Sequence, residues 1–470
     1  MVEQIGQRLL REKVITEEQL QKAVERQRLE GGRLGYNLVA LGYITPEEFY
    51  TFIERYPPVP RTVEDTGLDL SFIADLIMKH ILYMGDFKLA DVAESTKLPI
   101  SIVDPAIEML RKAKLIEVKG AAEYAKITYT FSITGQGKNR ARDLLDICRY
   151  VGPAPVPLEQ YKSMIELQTI KNIIVDEDTV KKAFSHLIIR DELLRRLGPA
   201  ISAGKAMFIY GPSGNGKTTI AETIGKVLPG SVYIPHSLII AGQIITIFDP
   251  VTHIHVQNRN ETDKNKVDQR WILIKRPVII AGGELTLKTL DLDFNTISKY
   301  YEASLQMKAN NGLFIVDDFG RQQLDPQHLL NRWIVPLERR IDFMTLHTGM
   351  KFDIPFDQLV IFSTNIEPRK LVDEAFLRRI RYKIKIDHPT KKEYEAIFRM
   401  VCESNGIEFK KDVFEYLIEN HYKKQGVKFN ACHPRDIVDH IIDDAHYYYR
   451  SPQLTNEAIN TTWENYFVEI

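Results

Sequence analysis

Residues 211 to 218 read Gly211-Pro212-Ser213-Gly214-Asn215-Gly216-Lys217-Thr218, the spacing G-x-x-x-x-G-K-T. That pattern is suited to hold phosphate. The glycines let successive backbone N–H groups turn toward an anion, and a helix opening at the end of the loop adds the positive end of its dipole. A lysine at this place reaches the β- and γ-phosphates, and a threonine hydroxyl beside it can ligate Mg²⁺. The eight residues and Thr219 are therefore candidate nucleotide-binding residues, and a bound nucleoside triphosphate is the expectation.

Such a loop works only between a buried strand and a helix, and both are legible. Ala206-Met207-Phe208-Ile209-Tyr210 is an apolar run entering the loop, and Thr218 to Ile224 continues as a helix. Two further apolar runs end in polar residues. Leu313-Phe314-Ile315-Val316 leads into Asp317-Asp318, and Leu359-Val360-Ile361-Phe362-Ser363-Thr364 leads into Asn365. Uninterrupted apolar runs of this length fit strands buried on both faces.

The chain has 470 residues, too many for one hydrophobic core, so two to four domains are expected. Its net charge of −1 offers no global attraction to nucleic acid or acidic lipid. Cys148, Cys402 and Cys432 are scattered without metal-type spacing, which fits free thiols in a reducing compartment. The charged start MVEQIGQRLLREK lacks the apolar core of a signal peptide, and no apolar run approaches the ~20 residues that span a bilayer. A cytoplasmic location without membrane insertion is expected.

Two proline-rich joints, Tyr56-Pro57-Pro58-Val59-Pro60 and Gly152-Pro153-Ala154-Pro155-Val156-Pro157, read as short stiff spacers. Before the first, Gly6, Leu9, Ile15, Thr16 and Leu20 recur as Gly35, Leu38, Ile44, Thr45 and Phe49, so two helical units are expected, with Thr16 and Thr45 as caps. The second unit, Arg33 to Thr45, resembles the N-terminal domain of type II secretion and type IV pilus assembly ATPases. That resemblance implies cyclic di-GMP as a ligand, through Arg33, Leu34, Gly35, Leu38 and Gly42. The first unit departs from the pattern, with Gln4, Ile5 and Lys13 at the matching places, and a glutamine cannot supply the charge or fork of a guanidinium. A docking domain that keeps the fold without the ligand is the other reading. Residues 67 to 147 resemble a winged helix, with helices over Leu70–Tyr83, Leu89–Thr96 and Ile100–Lys112 and strands over Leu115–Lys119 and Lys126–Ser132. Asp104 and Glu108 on its recognition helix would repel phosphates, so nucleic acid is not the expected partner.

From about residue 158 onward the order of motifs resembles the AAA+ ATPases, which are ring-forming remodelling machines. The resemblance implies that Asp317 holds Mg²⁺ through water and that Asp318 orients and deprotonates the attacking water. Asp318 stands where most members have Glu. Asn365 takes the place of sensor 1, sharing that water. Arg378 or Arg379, in Ala375-Phe376-Leu377-Arg378-Arg379-Ile380, would project into a neighbouring subunit's nucleotide site, and the residues do not separate the two. Arg435, in His433-Pro434-Arg435-Asp436-Ile437, takes the place of sensor 2, contacting the γ-phosphate from the lid. The chain thus reads as multidomain: an α/β phosphate-loop NTPase core of AAA+ type with an all-α lid, preceded by a small helical domain and a winged-helix-like α+β domain. Boundaries fall at 1–56, 67–150, 158–387 and 388–470. ATP and Mg²⁺ are the implied cofactors, with homo-oligomeric assembly and an unidentified protein partner.

Three stretches lie outside these motifs. Ile272 to Ile280 reads as a hairpin or strand pair. Tyr300 and Tyr301 read either as pore aromatics or as core. His253 and His255 form an exposed pair with no third metal ligand in view. Remodelling of a protein partner is the leading function, with a slow nucleotide-dependent switch on a pilus or secretion complex and DNA handling as alternatives.

Overall fold

The computed structural model describes residues 5–53, 56–120, 129–256, 266–323 and 325–467. At its centre lie five parallel strands: β1 (Met207–Tyr210), β2 (Val278–Ala281), β3 (Leu313–Val316), β4 (Leu359–Thr364) and β5 (Tyr382–Lys385). Their spatial order is β2-β3-β4-β1-β5. β3 and β4 are buried at every position, as a sheet covered on both faces requires. One face packs on Ile220, Ile224 and Leu197, the other on Trp333, Leu330 and Phe319. Because all five strands run the same way, the residues that follow them emerge along one edge, where α/β sheets bind ligands.

A second, mixed sheet fills the stretch between the phosphate loop and β3. Its strands run in the order Asp293–Asn295, Tyr300–Glu302, Gln243–Thr246, Ser237–Ile240, Val156–Pro157. The expected pairing within Ile272–Ile280 does not form. Trp271–Lys275 pairs antiparallel with Ser231–Pro235, whereas the following strand joins the parallel core as β2. The break is Arg276-Pro277: Arg276 donates to the carbonyls of Pro229, Gln168 and Asn311, and the Pro277 carbonyl accepts from Leu313. Tyr301 is 1 % exposed and bonds His347, and Tyr300 packs edge-on to Tyr150, so this pair is core and not a pore loop.

Four helices, Ile5–Arg11, Glu17–Glu30, Leu34–Ala40 and Pro46–Ile53, surround Leu9, Leu20, Leu38 and Phe49 at the start of the chain. Thr16 closes a capping box with Gln19, and Thr45 accepts from the Glu48 N–H. Gln4 lies outside the described residues. Helices Leu70–Met84, Leu89–Thr96, Ile100–Lys112 and Gly135–Ile147 pack with a small antiparallel sheet of Asp86–Phe87, Thr130–Ile133 and Ile116–Gly120. Of the strand expected over Lys126–Ser132, residues 126–128 lie outside the described residues.

The proline-rich joints are not free spacers. Pro58 bridges Val267, and the Pro57 carbonyl accepts from Asp268 at 2.8 Å. Val156–Pro157 forms an edge strand beside Leu238–Ile239, a position that tolerates proline. Arg270, 1 % exposed, ties these pieces together. It pairs with Asp268 at 2.8 Å and donates to the carbonyls of Thr66 and Pro155 and to Gln160. The last segment is helical, Lys391–Ser404, Lys411–Leu417, His433–Tyr447 and Asn456–Tyr466, around Tyr394, Phe398, Tyr422 and Trp463. Among the described residues no helix is long and apolar enough to cross a membrane.

Candidate functional site

The phosphate loop connects β1 to the helix Lys217–Val227 and makes its turns at glycines with positive φ. At Gly211 (φ +145°) a Cβ would stand 2.0 Å from the Ile386 carbonyl oxygen, so the close approach of the chain after β5 excludes any side chain. The Lys217 ammonium donates to the Pro212 carbonyl at 2.9 Å, folding its stem across the loop. Burial pushes this ammonium below its usual range. Asp318 and Asp317 act in the opposite sense, and Arg321 adds to the burial. An arriving phosphate would supply the counter-charge that desolvation makes favourable. Asn215, 5 % exposed, donates weakly to the Pro212 and Ser213 carbonyls from inside the loop, while Ser213 and Thr219 are exposed.

Thr218 Oγ1 donates to the two carboxylate oxygens of Asp317 at 2.9 and 3.1 Å. The helix start after β1 and the end of β3 thus bring a hydroxyl and a carboxylate to one point. That oxygen pair suits Mg²⁺, which keeps several waters and takes few protein ligands. Gln322 donates to the Asp317 carbonyl at 2.7 Å and fixes the turn beyond it.

Asp318 has φ +48°, an unusual backbone for a residue other than glycine, though aspartate tolerates it. The turn is held from β4: Phe319 donates its N–H to the Ser363 carbonyl, and Thr364 Oγ1 donates to the Phe319 carbonyl, both at 2.7 Å. The exposed Asp318 carboxylate accepts from Asn365 Nδ2 at 3.4 Å. Lys217, Thr218, Asp317, Asp318 and Asn365 therefore converge from the carboxyl ends of β1, β3 and β4, and a strained backbone sits where a reacting group would act.

The C-terminal helical segment rests on the loop itself, a contact that motif reading misses. Cys432 donates its N–H to the Gly214 carbonyl at 2.9 Å, and Ala431 donates to Asn215 Oδ1 at 3.1 Å. Asn215 Nδ2 also reaches Asn430 Oδ1 at 3.3 Å, and His388 bonds the same oxygen at 2.9 Å. At Gly214 (φ +73°) a Cβ would lie 2.6 Å from Cys432 Sγ. Only the run of small and polar residues before His433-Pro434 hints at this docking. Arg435 stands in the first turn of the helix that follows, with its side chain exposed.

Arg378 and Arg379 are not brought to this chain's own phosphate loop. They line a cleft with Lys205, Arg340, Gln358 and Arg381, at the opposite, amino-terminal ends of β1, β4 and β5. Arg379 pairs with Glu338 at 2.5 Å.

Of the residues the N-terminal resemblance points to, Leu38 is fully buried and Leu34 packs against the same core. Gly35 is buried so tightly that a Cβ would meet the Phe49 ring at 2.3 Å. Gly42 is exposed with φ +71°. Arg33 turns to the helix Asp191–Ala203 and donates to the Ala203 carbonyl at 3.2 Å. With Gly35 it lines a cavity of about 660 Å³ between the N-terminal helices and the segment from Lys171 to Ala203.

His253 is buried, its ring bonded to the Lys308 carbonyl and accepting from the Asp249 N–H, so it is a packing residue and not half of an exposed pair. Among the described residues no group of three or more His, Cys, Asp or Glu could hold a metal ion, and all three cysteines are free.

By fold this is an α/β protein with a five-stranded parallel sheet, and its C-terminal helical segment is seated on the loop that follows β1. Residues 390–465 match the family model for a domain of unknown function, DUF8689. Among curated proteins, no sequence match is found. A RuvB P216G mutant from Thermotoga maritima is similar at 14% identity and TM-score 0.33, over 63% of this chain and 72% of that one. NtrX from Brucella abortus is similar at 13% identity and TM-score 0.37, over 61% and 57%. A MarR family regulator from Neisseria meningitidis is similar at 20% identity and TM-score 0.15, over 18% and 57%.

Proposed function

We propose that the chain is an ATPase of the AAA+ type that couples ATP binding and hydrolysis to remodelling of a protein partner. The carrying observation is the Thr218–Asp317 contact at 2.9 Å with Asp318 and Asn365 beside it, all at one edge of the parallel sheet. Lys217 and the loop N–H groups bind the phosphates, and Thr218 and Asp317 would hold Mg²⁺. When bound, that ion would neutralise charge developing on the phosphoryl oxygens. Asp318 orients a water with Asn365 and takes its proton as the water oxygen bonds to the γ-phosphorus and the bond to the bridging oxygen breaks. Arg435 reports the γ-phosphate to the lid. Arg378 or Arg379 acts on a neighbouring subunit's nucleotide, which their distance from this chain's own loop favours. Segments 1–56 and 67–150, a secretion-ATPase-like domain and a winged-helix-like domain, recruit the partner, and 158–387 and 388–470 form the motor and its lid. A cyclic di-GMP site at the N-terminal helices has Arg33 and Gly35 on the wall of a cavity as its support.

A nucleotide-dependent switch is the second reading, favoured by the lid's direct bonds to Gly214 and Asn215, which tie lid position to loop occupancy. Steady-state ATPase assays with size analysis, with and without nucleotide and cyclic di-GMP, test both. A remodeller assembles and turns over steadily, and Arg378→Ala/Arg379→Ala lowers its rate about a thousandfold while nucleotide binding persists. Single slow turnovers with partner release would favour the switch. An Arg378→Ala/Arg379→Ala chain with wild-type turnover would refute action between subunits.

A further inference from the structure

The helix His433–Tyr447 ends in three consecutive tyrosines that the fold leaves in water. Tyr447, Tyr448 and Tyr449 are 75 %, 54 % and 98 % exposed, and their hydroxyls make no hydrogen bond among the described residues. Tyr447 and Tyr448 meet edge-on with ring centroids 4.9 Å apart, and the Arg450 guanidinium lies over the Tyr448 ring at 5.3 Å. Tyr449 has φ +56°, a left-handed backbone that suits glycine or asparagine and strains a bulky residue. Aromatic rings ordinarily stabilise a fold by being buried. Neighbouring exposed rings mark a surface for a partner, where tyrosine and arginine supply much of the binding energy.

The surrounding charge selects the partner. Asp439, Asp443 and Tyr447 follow one another at successive turns along an exposed stripe of this helix, with Asp444 beside them. Asp439, Asp443 and Asp444 make no ion pair among the described residues. From Arg435 to Phe467 the sequence holds six acidic residues and two arginines, so this part of the surface is negative. Neither arginine offsets it at the tyrosines. Arg450 is stacked on Tyr448, and Arg435 stands at the other end of the helix, roughly 18 Å away at about 1.5 Å per residue. Carboxylates one turn from exposed ring faces offer a cation both an ion pair and a π-face, and they repel phosphates.

We propose that this surface docks an arginine- and lysine-rich segment of a partner protein. Cationic side chains of that segment lie over the Tyr447 and Tyr449 rings, and Asp443 and Asp444 accept their N–H groups. Arginine contributes more than lysine, because a planar guanidinium stacks on a ring and still pairs with a carboxylate. The left-handed turn at Tyr449 ends the helix and holds its ring clear of the body. The surface goes beyond the ATPase reading: it lies at the opposite end of the helix from the contact of Cys432 with Gly214, and it needs no nucleotide.

The test uses the full chain without nucleotide, so its failure leaves the phosphate-loop reading intact. The probe is a fluorescent peptide of alternating arginine and glycine, with an equally long peptide of glutamate and glycine as control. Polarisation should show one-to-one binding of the arginine peptide, weakened by salt, and none of the glutamate peptide. Tyr447→Ser/Tyr449→Ser keeps the charge and should weaken binding about tenfold. Asp443→Asn/Asp444→Asn keeps the rings and should weaken it by about as much, with a smaller salt dependence. Glu17→Gln/Glu25→Gln, which neutralises two exposed acids of the helix Glu17–Glu30, should bind as the wild type does. Tyr449→Gly should raise the melting temperature while weakening binding, since glycine relieves the backbone and removes a ring. Thermal melts check that every variant is folded, and sedimentation of the chain alone tests for a second copy on the surface. Absence of binding, equal binding of the glutamate peptide, full binding by Tyr447→Ser/Tyr449→Ser, or self-association that this variant abolishes would overturn the proposal.

Discussion

Gly214 is where the loop after β1 meets the C-terminal helical segment, so Gly214→Ala probes both at once. The residue has φ +73°, which costs alanine about 1–2 kcal/mol. Its new methyl would stand 2.6 Å from Cys432 Sγ, an overlap worth about 1–3 kcal/mol where neither group can give way. The single variant should therefore lose about 2–5 kcal/mol of stability. Cys432→Ala removes the sulfur and leaves only its own packing loss. In the double variant the overlap disappears while the backbone cost remains, so the two substitutions should couple favourably by about 1–3 kcal/mol. Denaturant unfolding of the four proteins measures the cycle, and nucleotide affinity measured in parallel should show Cys432→Ala rescuing Gly214→Ala. Additivity within about 0.5 kcal/mol would refute the packing of lid on loop described here.

Acid should loosen the lid. Burial pushes His433 down to about 4, Asp436 acting against it and His388 with it, while its ring bonds Tyr422 and Asn430. Between about 4 and the ordinary value of 6.5 the unfolded chain binds more protons than the folded one, so stability declines as pH falls through that window, by up to about 3 kcal/mol from this group. Melts from pH 7 to 4 should show the decline, and His433→Gln should lessen it, leaving the share of His236, which burial also pushes down to about 4. Arg270→Met should cost about 3–5 kcal/mol by stranding the buried Asp268 carboxylate, with Arg270→Met/Asp268→Leu recovering much of the loss. Denaturation midpoints measure this, and limited proteolysis should cut the 56–60 joint faster in the single variant.

The sequence alone determined the parts of this protein whose chemistry lies between near neighbours in the chain. The phosphate loop is legible because eight consecutive residues carry both the turn and the ligands. Asp317, Asp318 and Asn365 are legible as the ends of apolar runs, since a strand buried on both faces admits polar residues only where it stops. Whether those ends meet depends on strand order, and only the tertiary structure decided that β4 lies between β1 and β3, close enough for Thr218 to reach Asp317. The same holds for the lid's Cys432 against Gly214 and for the proline joints held by Arg270. In each case the partners lie far apart along the chain, and the contact is set by packing of whole elements, which leaves no local pattern to read.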